Sequence, residues 1–363
     1  MTDSPQRIAY FVSSHGFGHA ARAASIMLSL GRRSDSLHFD IFTEVPAWFF
    51  AAEGIRHRYH AVNTDVGLVQ TSPLTHDNAQ TLTALAGFVA GLDAQASAMA
   101  DILNSTHCRL VLCDISPLGI AAARKAGIPA VLIENFTWDW IYEHYTAQQP
   151  AFNHYIEVFR TLFHHCDYLI QTEPVCDKRN ADLVTAPISR TPRQSRAAVR
   201  RHLGVPATHK LITITMGGVR GELGLLEQLT ARPEYQFILP GTGDTLYRKD
   251  NCLILPQHSA LYHPDLINAS DLVIGKLGYS TLAEVYYAGV PFIYVARDDF
   301  RESACLAQFV DRSMPGMPVP ADTFADAQWL DGLPGLMASS RPAPQHVNGA
   351  ETAADFIYKL LGH

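Results

Sequence analysis

At 363 residues the chain is longer than the usual single domain, so two domains are expected. A hydrophobic share of 47% and a charged share of 17% exclude a disordered chain. A net charge of −7 with no long Lys/Arg block argues against a nucleic-acid or anionic-membrane surface. The short basic cluster Arg196–Arg201 reads as a solvated helix face. The six cysteines (Cys108, Cys113, Cys166, Cys176, Cys252, Cys305) form no C-x-x-C pair, which argues against a zinc or iron–sulfur site; no metal is expected. The N-terminal M-T-D-S-P-Q-R has no apolar signal region and no membrane-length apolar span is read after it. The expected location is the cytoplasm, with peripheral membrane contact left open.

In chain order, Ile8–Ser13 is a continuous apolar run, as in a central parallel strand. It leads through S-S-H-G-F-G-H (13–19) into a helix over His19–Leu30, with Gly31 as its stop. His38–Thr43 and Arg56–Val62 read as strands and Ala79–Leu103 as a long helix. Leu110–Asp114 is a strand, Gly119–Ala126 a helix ended by Gly127, and Ile128–Ile133 a strand. The aromatic run Phe136–Tyr145 either lines an acceptor site or packs into the core. Tyr155–His165 is a helix and Tyr168–Gln171 the last strand of this half.

Residues 184–195 carry two prolines and little periodicity and read as a linker. The pattern then restarts with a helix (Ala197–Leu203), a strand ending at Gly217-Gly218 (Lys210–Met216) and a helix (Glu222–Leu229). Strands at Tyr235–Pro240, Cys252–Pro256 and Leu272–Ile274, a helix at Leu282–Ala288, a strand at Phe292–Ala296 and a helix at Gly349–Leu361 complete it. The expected fold is α/β, with two Rossmann-like doubly wound domains facing a cleft. The divisions are 1–185, a linker at 186–197, 198–348, and a C-terminal helix (349–363) packing back toward the N-terminal domain.

Ligands of such sheets sit outside the carboxyl ends of the strands, where both glycine loops fall. In the first loop, Gly16 and Gly18 allow backbone angles that other residues avoid. His15 and His19 bracket them. The positive end of a helix dipole favours the neutral imidazole that a general base requires, so His19, with His15, is the candidate for the reaction centre. The alternative is that His19 caps the helix. In the second half, Gly217, Gly218 and the turn Gly278-Tyr279-Ser280-Thr281 could present amides and hydroxyls to a diphosphate. Lys276 would add positive charge, and fixed donors of this kind stabilise a leaving diphosphate without a required cofactor or metal. Glu284 could hold ribose hydroxyls or be a surface helix residue. The charged run after the last strand, with Asp299, Phe300, Arg301 and Glu302, could hold a sugar or form a solvated salt-bridge loop.

The order of these parts resembles a GT-B glycosyltransferase of the nucleotide-sugar-using type. The segments are S-H-G-F-G-H-A-A-R (14–22), V-R-R-H-L-G-V (199–205) leading to I-T-M-G-G (214–218), I-G-K-L-G-Y-S-T-L-A-E (274–284), and P-F-I-Y-V-A-R-D-D-F-R-E (291–302), with V-N-G-A-E-T-A-A near the C-terminus. In pattern they are closest to the glycosyltransferase-like N-terminal region of L-arabinokinases, with no kinase half read in the chain. More distantly they are similar to the lipid II-forming N-acetylglucosaminyltransferase and to plant and macrolide glycosyltransferases. The resemblance implies an N-terminal acceptor domain and a C-terminal domain for a nucleotide sugar, often a uridine one. It matches His19 to the loop histidine near the reaction centre, Gly278, Ser280 and Thr281 to the diphosphate loop, and Glu284 to a ribose-binding glutamate. Two departures stand out: Gly275-Lys276-Leu277-Gly278 replaces a His-x-Gly motif, and R-D-D-F-R-E replaces an Asp-Gln sugar-binding pair. The expected function is inverting transfer of a sugar from a nucleoside-diphosphate sugar, uridine-linked, to an acceptor. A non-hydrolysing nucleotide-sugar epimerase and a non-catalytic sugar-binding module are the alternatives.

Overall fold

The computed structural model describes residues 6–216, 225–338 and 346–362. These residues form two compact units. One draws on Met1–Val69, His76–Ser189 and His346–His363, the other on Gln70–Thr75 and Arg190–Gln345. Gly217 and Gly218, both expected at a diphosphate, lie outside the described residues.

The first unit is built on β1 (Gln6–Val12), β2 (Leu37–Thr43), β3 (His57–Ala61), β4 (Cys108–Asp114), β5 (Ala130–Glu134), β6 (Tyr168–Thr172) and β7 (Leu183–Thr185). They make a seven-stranded sheet in the order β3-β2-β1-β4-β5-β6-β7, and every pairing is parallel. Successive residues Ile8 to Val12 all have 0% exposure. Side chains alternate between the two faces of a strand, so both faces of β1 are covered, which is why its sequence is continuously apolar. In register, Ile8 sits between Phe39 of β2 and Leu110 of β4.

Two local expectations change here. Gly31 is the last residue of the helix Phe17–Gly31 and Arg32 caps it in right-handed conformation, so glycine is not the stop. The three-residue β7 lies where the sequence shows only the start of a proline-bearing stretch; so short an edge strand leaves no period-two pattern. The helix Asn78–Ser105 also corrects the reading of no membrane-length apolar span. It meets the length and composition of one, with mean hydropathy 1.2. Alanines spread along it raise the mean, while one stripe (Leu85, Phe88, Leu92, Ala96, Leu103) is buried within the unit.

The C-terminal helix Gly349–Leu360 belongs to this first unit. Its buried stripe Ala350, Ala353, Ala354 and Ile357 shares one core cluster with Ile26, Met27 and Leu30 of the first helix. Polar ties close the seam. Glu351 accepts from Ser29 Oγ at 2.9 Å and from Arg33 at 3.2 Å, and also from Arg32. Asn348 caps the helix by accepting from the Ala350 amide at 3.0 Å, and its side-chain amide donates to the Ser189 carbonyl at 2.6 Å. Gly349 is required by close approach: a Cβ there would lie 2.0 Å from the Ala186 carbonyl oxygen.

The second unit carries β8 (Lys210–Thr215), β9 (Tyr235–Gly243), β10 (Tyr247–Lys249), β11 (Cys252–Pro256), β12 (Leu272–Lys276), β13 (Phe292–Val295) and β14 (Gly316–Pro318). The order is β10-β11-β9-β8-β12-β13-β14, and β10 alone pairs antiparallel. The helices His263–Ala269 and Glu302–Ser313 were not legible as periodic runs. The basic cluster is only partly a solvated face: Arg201 is exposed, but Arg196 and Arg200 are engaged. Arg196 and Arg200 of the helix Arg196–His202 donate to the two carboxylate oxygens of Asp271 at 2.6 and 3.0 Å, and Arg196 also donates to the Ser270 carbonyl at 2.6 Å. They fasten that helix to the strand start of β12.

Opposite signs are expected at two helical glycines. Gly349→Ala forces backbone apart and should cost about 1–3 kcal/mol. Gly87→Ala, in the middle of the Asn78–Ser105 helix with open space beside it, should gain about 0.5–1 kcal/mol. Thermal and urea melts of the two variants check both.

Candidate functional site

In the first unit the strand order reverses direction between β1 and β4, the switch point where sheets of this kind leave a crevice at their carboxyl ends. After Val12 the chain turns through Gly16, whose φ of 79° and ψ of −178° only glycine adopts readily, and enters the helix at Phe17. Gly18 is already helical, so the conformational freedom expected of it is not used. His19 therefore stands in the first helical turn, 9% exposed.

The three partners around His19 were not picked out from the sequence. Asp114, the last residue of β4, pairs in register with Val12. Its Oδ1 lies 2.7 Å from His19 Nδ1. Arg22, one helical turn after His19, donates from Nε to Asp114 Oδ2 at 2.7 Å and from a terminal nitrogen to Oδ1 at 2.6 Å. Its other terminal nitrogen donates to Asn135 Oδ1, just beyond β5, at 2.8 Å. Burial works to raise the Asp114 carboxyl, but the charge and hydrogen bonds of Arg22, then those of His19, overcome it and hold it below the usual carboxylate range. An ionised carboxylate only accepts, so His19 Nδ1 carries a proton toward it, and in the neutral ring Nε2 is the atom with the lone pair. The sequence signals existed: an Arg inside an Ala/Ile/Met helix, and a strand that ends in Asp.

A second carboxylate lies beside this group. Asp65 is 3% exposed and its Oδ2 accepts from the Trp138 indole at 3.0 Å. Burial pushes its carboxyl up to about 6, partly offset by hydrogen bonds from Trp138 and Ser13 and by the charge of His19. The segment carrying it is fixed at three points: Thr64 Oγ1 donates to the Val12 carbonyl at 2.9 Å, Ser116 Oγ donates to the Thr64 carbonyl at 3.2 Å, and Tyr142 donates to the Gly67 carbonyl at 2.9 Å. His15 packs edge-on to Trp138, with ring centroids 5.1 Å apart, and the Trp138 ring is 6.3 Å from that of His19. Within the aromatic run, Trp138, Tyr142 and Tyr145 are core residues, whereas Trp140 is half-buried.

In the second unit the switch point falls between β8 and β12. Beyond β12, the helix Tyr279–Ala288 begins at Gly278 with no side-chain cap and no acidic residue in its first turn. Its amide groups and positive dipole end are unopposed by its own sequence, the arrangement that favours an anion. Thr281 is buried and Ser280 half-buried in that turn. Gly278 has extended backbone (φ −144°) and open space where a Cβ would point. Lys276 ends β12. Burial, and then the charge of Arg297, lower its ammonium to about 8, with Glu302 opposing. The Arg297 guanidinium lies 3.4 Å over the Phe300 ring. Of the residues expected at the sugar, Phe300 and Glu302 are buried, Arg301 is half-buried and Asp299 is exposed.

Glu284 is buried, not a surface residue, and both of its oxygens are engaged. Oε1 accepts from Arg190 Nε at 3.0 Å, and Oε2 lies 2.7 Å from His263 Nδ1. Burial would raise its carboxyl, but Arg190 and then His263 hold it below the usual range. Arg193 lies 3.8 Å over the Tyr262 ring beside this group. Among the described residues no three His, Cys, Asp or Glu side chains are grouped to hold a metal ion.

No family model matches the chain. It is 29% identical over 361 residues to L-arabinokinase of Arabidopsis thaliana, covering 96% of this chain and 34% of that protein. It is 27% identical over 204 residues to UDP-N-acetylglucosamine--N-acetylmuramyl-(pentapeptide) pyrophosphoryl-undecaprenol N-acetylglucosamine transferase of Desulforudis audaxviator (strain MP104C), covering 46% of this chain and 52% of that protein. The chain thus spans about a third and about half of these two relatives. Among solved structures, the calicheamicin glycosyltransferase CalG4 aligns with a TM-score of 0.66 at 15% identity, covering 99% of both chains. A candidate UDP-N-acetylglucosamine 2-epimerase from Listeria monocytogenes aligns with a TM-score of 0.59 at 10% identity, covering 98% of this chain and 95% of that one. The fold is GT-B, with two Rossmann-like units, and the resemblance is to GT-B glycosyltransferase-like proteins.

Asp65 gives a pH-dependent expectation. Its carboxyl titrates higher in the folded state (about 6) than the ordinary aspartate value of 3.8. The folded protein therefore binds the extra proton between these values, and stability falls as pH rises through that window, then stays lowered above it. Asp65→Asn should melt higher than wild type at pH 8, by about 1–3 kcal/mol in stability, with the gap closing toward pH 4. Melts across that range check the sign.

Proposed function

We propose that the chain transfers a sugar from a nucleoside-diphosphate sugar, uridine-linked, to an acceptor with inversion at the anomeric carbon. The observation that carries this reading is His19. With Nδ1 turned to Asp114 at 2.7 Å, Nε2 is left as the basic atom at the carboxyl edge of the first sheet.

In this mechanism His19 Nε2 takes the proton of the acceptor hydroxyl. The freed electron pair of that oxygen attacks the anomeric carbon, and the bond to the diphosphate oxygen breaks with its electrons leaving on the diphosphate. One displacement inverts the centre through an oxocarbenium-like transition state. Asp114 holds the ring orientation and Arg22 holds Asp114. Donor binding is assigned to the second unit. The amides at Gly278–Thr281 and the Lys276 ammonium face the growing diphosphate charge, with Arg297 adding to the positive field. A ribose reaching Glu284 would share its carboxylate with Arg190 and His263. The two curated relatives, of which the chain spans about a third and about half, and the shared fold support the reading.

The test is a panel of nucleotide sugars screened by thermal shift, followed by transfer assays with the best ligand. His19→Ala should keep the ligand's thermal shift and lose about 10²–10⁴-fold in kcat. Full activity in that variant would remove His19 from the mechanism.

A further inference from the structure

We infer that Asp65 is a positioning residue for the proposed base: it is the counter-charge that His19 uses when it takes a proton. This rests on the reading of His19 as a base. The charges around His19 explain the need. Arg22 grips Asp114 through both carboxylate oxygens, with side chains 1% and 0% exposed. That pair sums to zero before the reaction. Asp114 therefore orients the ring but has already been matched by Arg22, and a proton arriving on Nε2 leaves one uncompensated positive charge in a buried place.

Asp65 has no ion-pair partner among the described residues, only hydrogen-bond donors from Trp138 and Ser13. The pins at Thr64, Ser116 and Tyr142 hold its backbone across the ends of β1 and β4, and Trp138 bridges it to the two loop histidines. The counter-charge is thus in place before the proton moves, which avoids reorganisation during the reaction. The titratable and charged groups around it are His19 and Asp114, with Tyr142 and His15 on the packed segments and Arg22 behind Asp114. Keeping a buried carboxylate whose proton leaves only near pH 6 costs stability, and such costs concentrate at functional sites.

The experiment follows the His19 ring signal by proton NMR against pH in wild type, Asp65→Asn and Asp65→Glu. It uses neither donor nor acceptor, so its failure is separate from a failure of the transfer reading. The midpoint for His19 should fall by about one pH unit in Asp65→Asn and return to near the wild-type position in Asp65→Glu. A folded Asp65→Asn protein with an unmoved midpoint overturns the inference. If that variant does not fold, wild type decides: the His19 curve should bend a second time as Asp65 titrates, and a single-step curve overturns the inference. In transfer assays Asp65→Asn should lose about 10–100-fold in kcat at unchanged donor KM, with the acid limb of the pH profile displaced; an unchanged kcat and profile overturns it as well.

Discussion

The buried pair of Arg22 and Asp114 is the constraint on which the first unit's chemistry depends. Both side chains are out of water, and removing one partner of such a pair costs about 3–5 kcal/mol because the other is left charged and unmatched. The pair also fixes geometry. It ties the first helix to the end of β4, reaches Asn135 beyond β5, and leaves Asp114 oriented toward His19 Nδ1. One carboxylate thereby sets the tautomer of the ring and the direction its basic nitrogen faces. The helix that carries His19 and Arg22 is backed in turn by the C-terminal helix through Ile26, Leu30, Ala353 and Ile357. A contact near the last residue of the chain thus supports the loop that follows its first strand.

The second unit solves a different electrostatic problem. At the end of β12, burial and the charge of Arg297 lower the Lys276 ammonium while Glu302 opposes them, and the helix that follows starts without a side-chain cap. Glu284, by contrast, is satisfied inside the protein by Arg190 and His263. Its first role is to anchor Arg190 against the helix, and any bond to a ribose would be shared with that clamp.

Much of the architecture was legible because parallel strands buried on both faces write themselves as apolar runs, and Gly127 and Gly289 mark left-handed helix ends. The short edge strands β7, β10 and β14 were not, since three residues carry no period. The loop histidine could be read from its glycines and its place before a helix. Its partners could not, because Asp114 ends a strand about a hundred residues away in sequence and Asn135 follows another, and Asp114 meets His19, and Asn135 meets Arg22, only through sheet order. Arg196 and Arg200 looked solvated for the same reason: Asp271, which they hold, lies far along the chain.

The Arg22–Asp114 pair turns a carboxylate oxygen to His19 Nδ1, so the neutral ring carries its proton on Nδ1 and leaves Nε2 bare. Long-range ¹⁵N–¹H NMR of the ring at neutral pH tests it directly. The expected result is a pyrrole-type Nδ1 and a pyridine-type Nε2, with Asp114→Asn abolishing that preference. A ring protonated on Nε2 in the wild-type protein would contradict it.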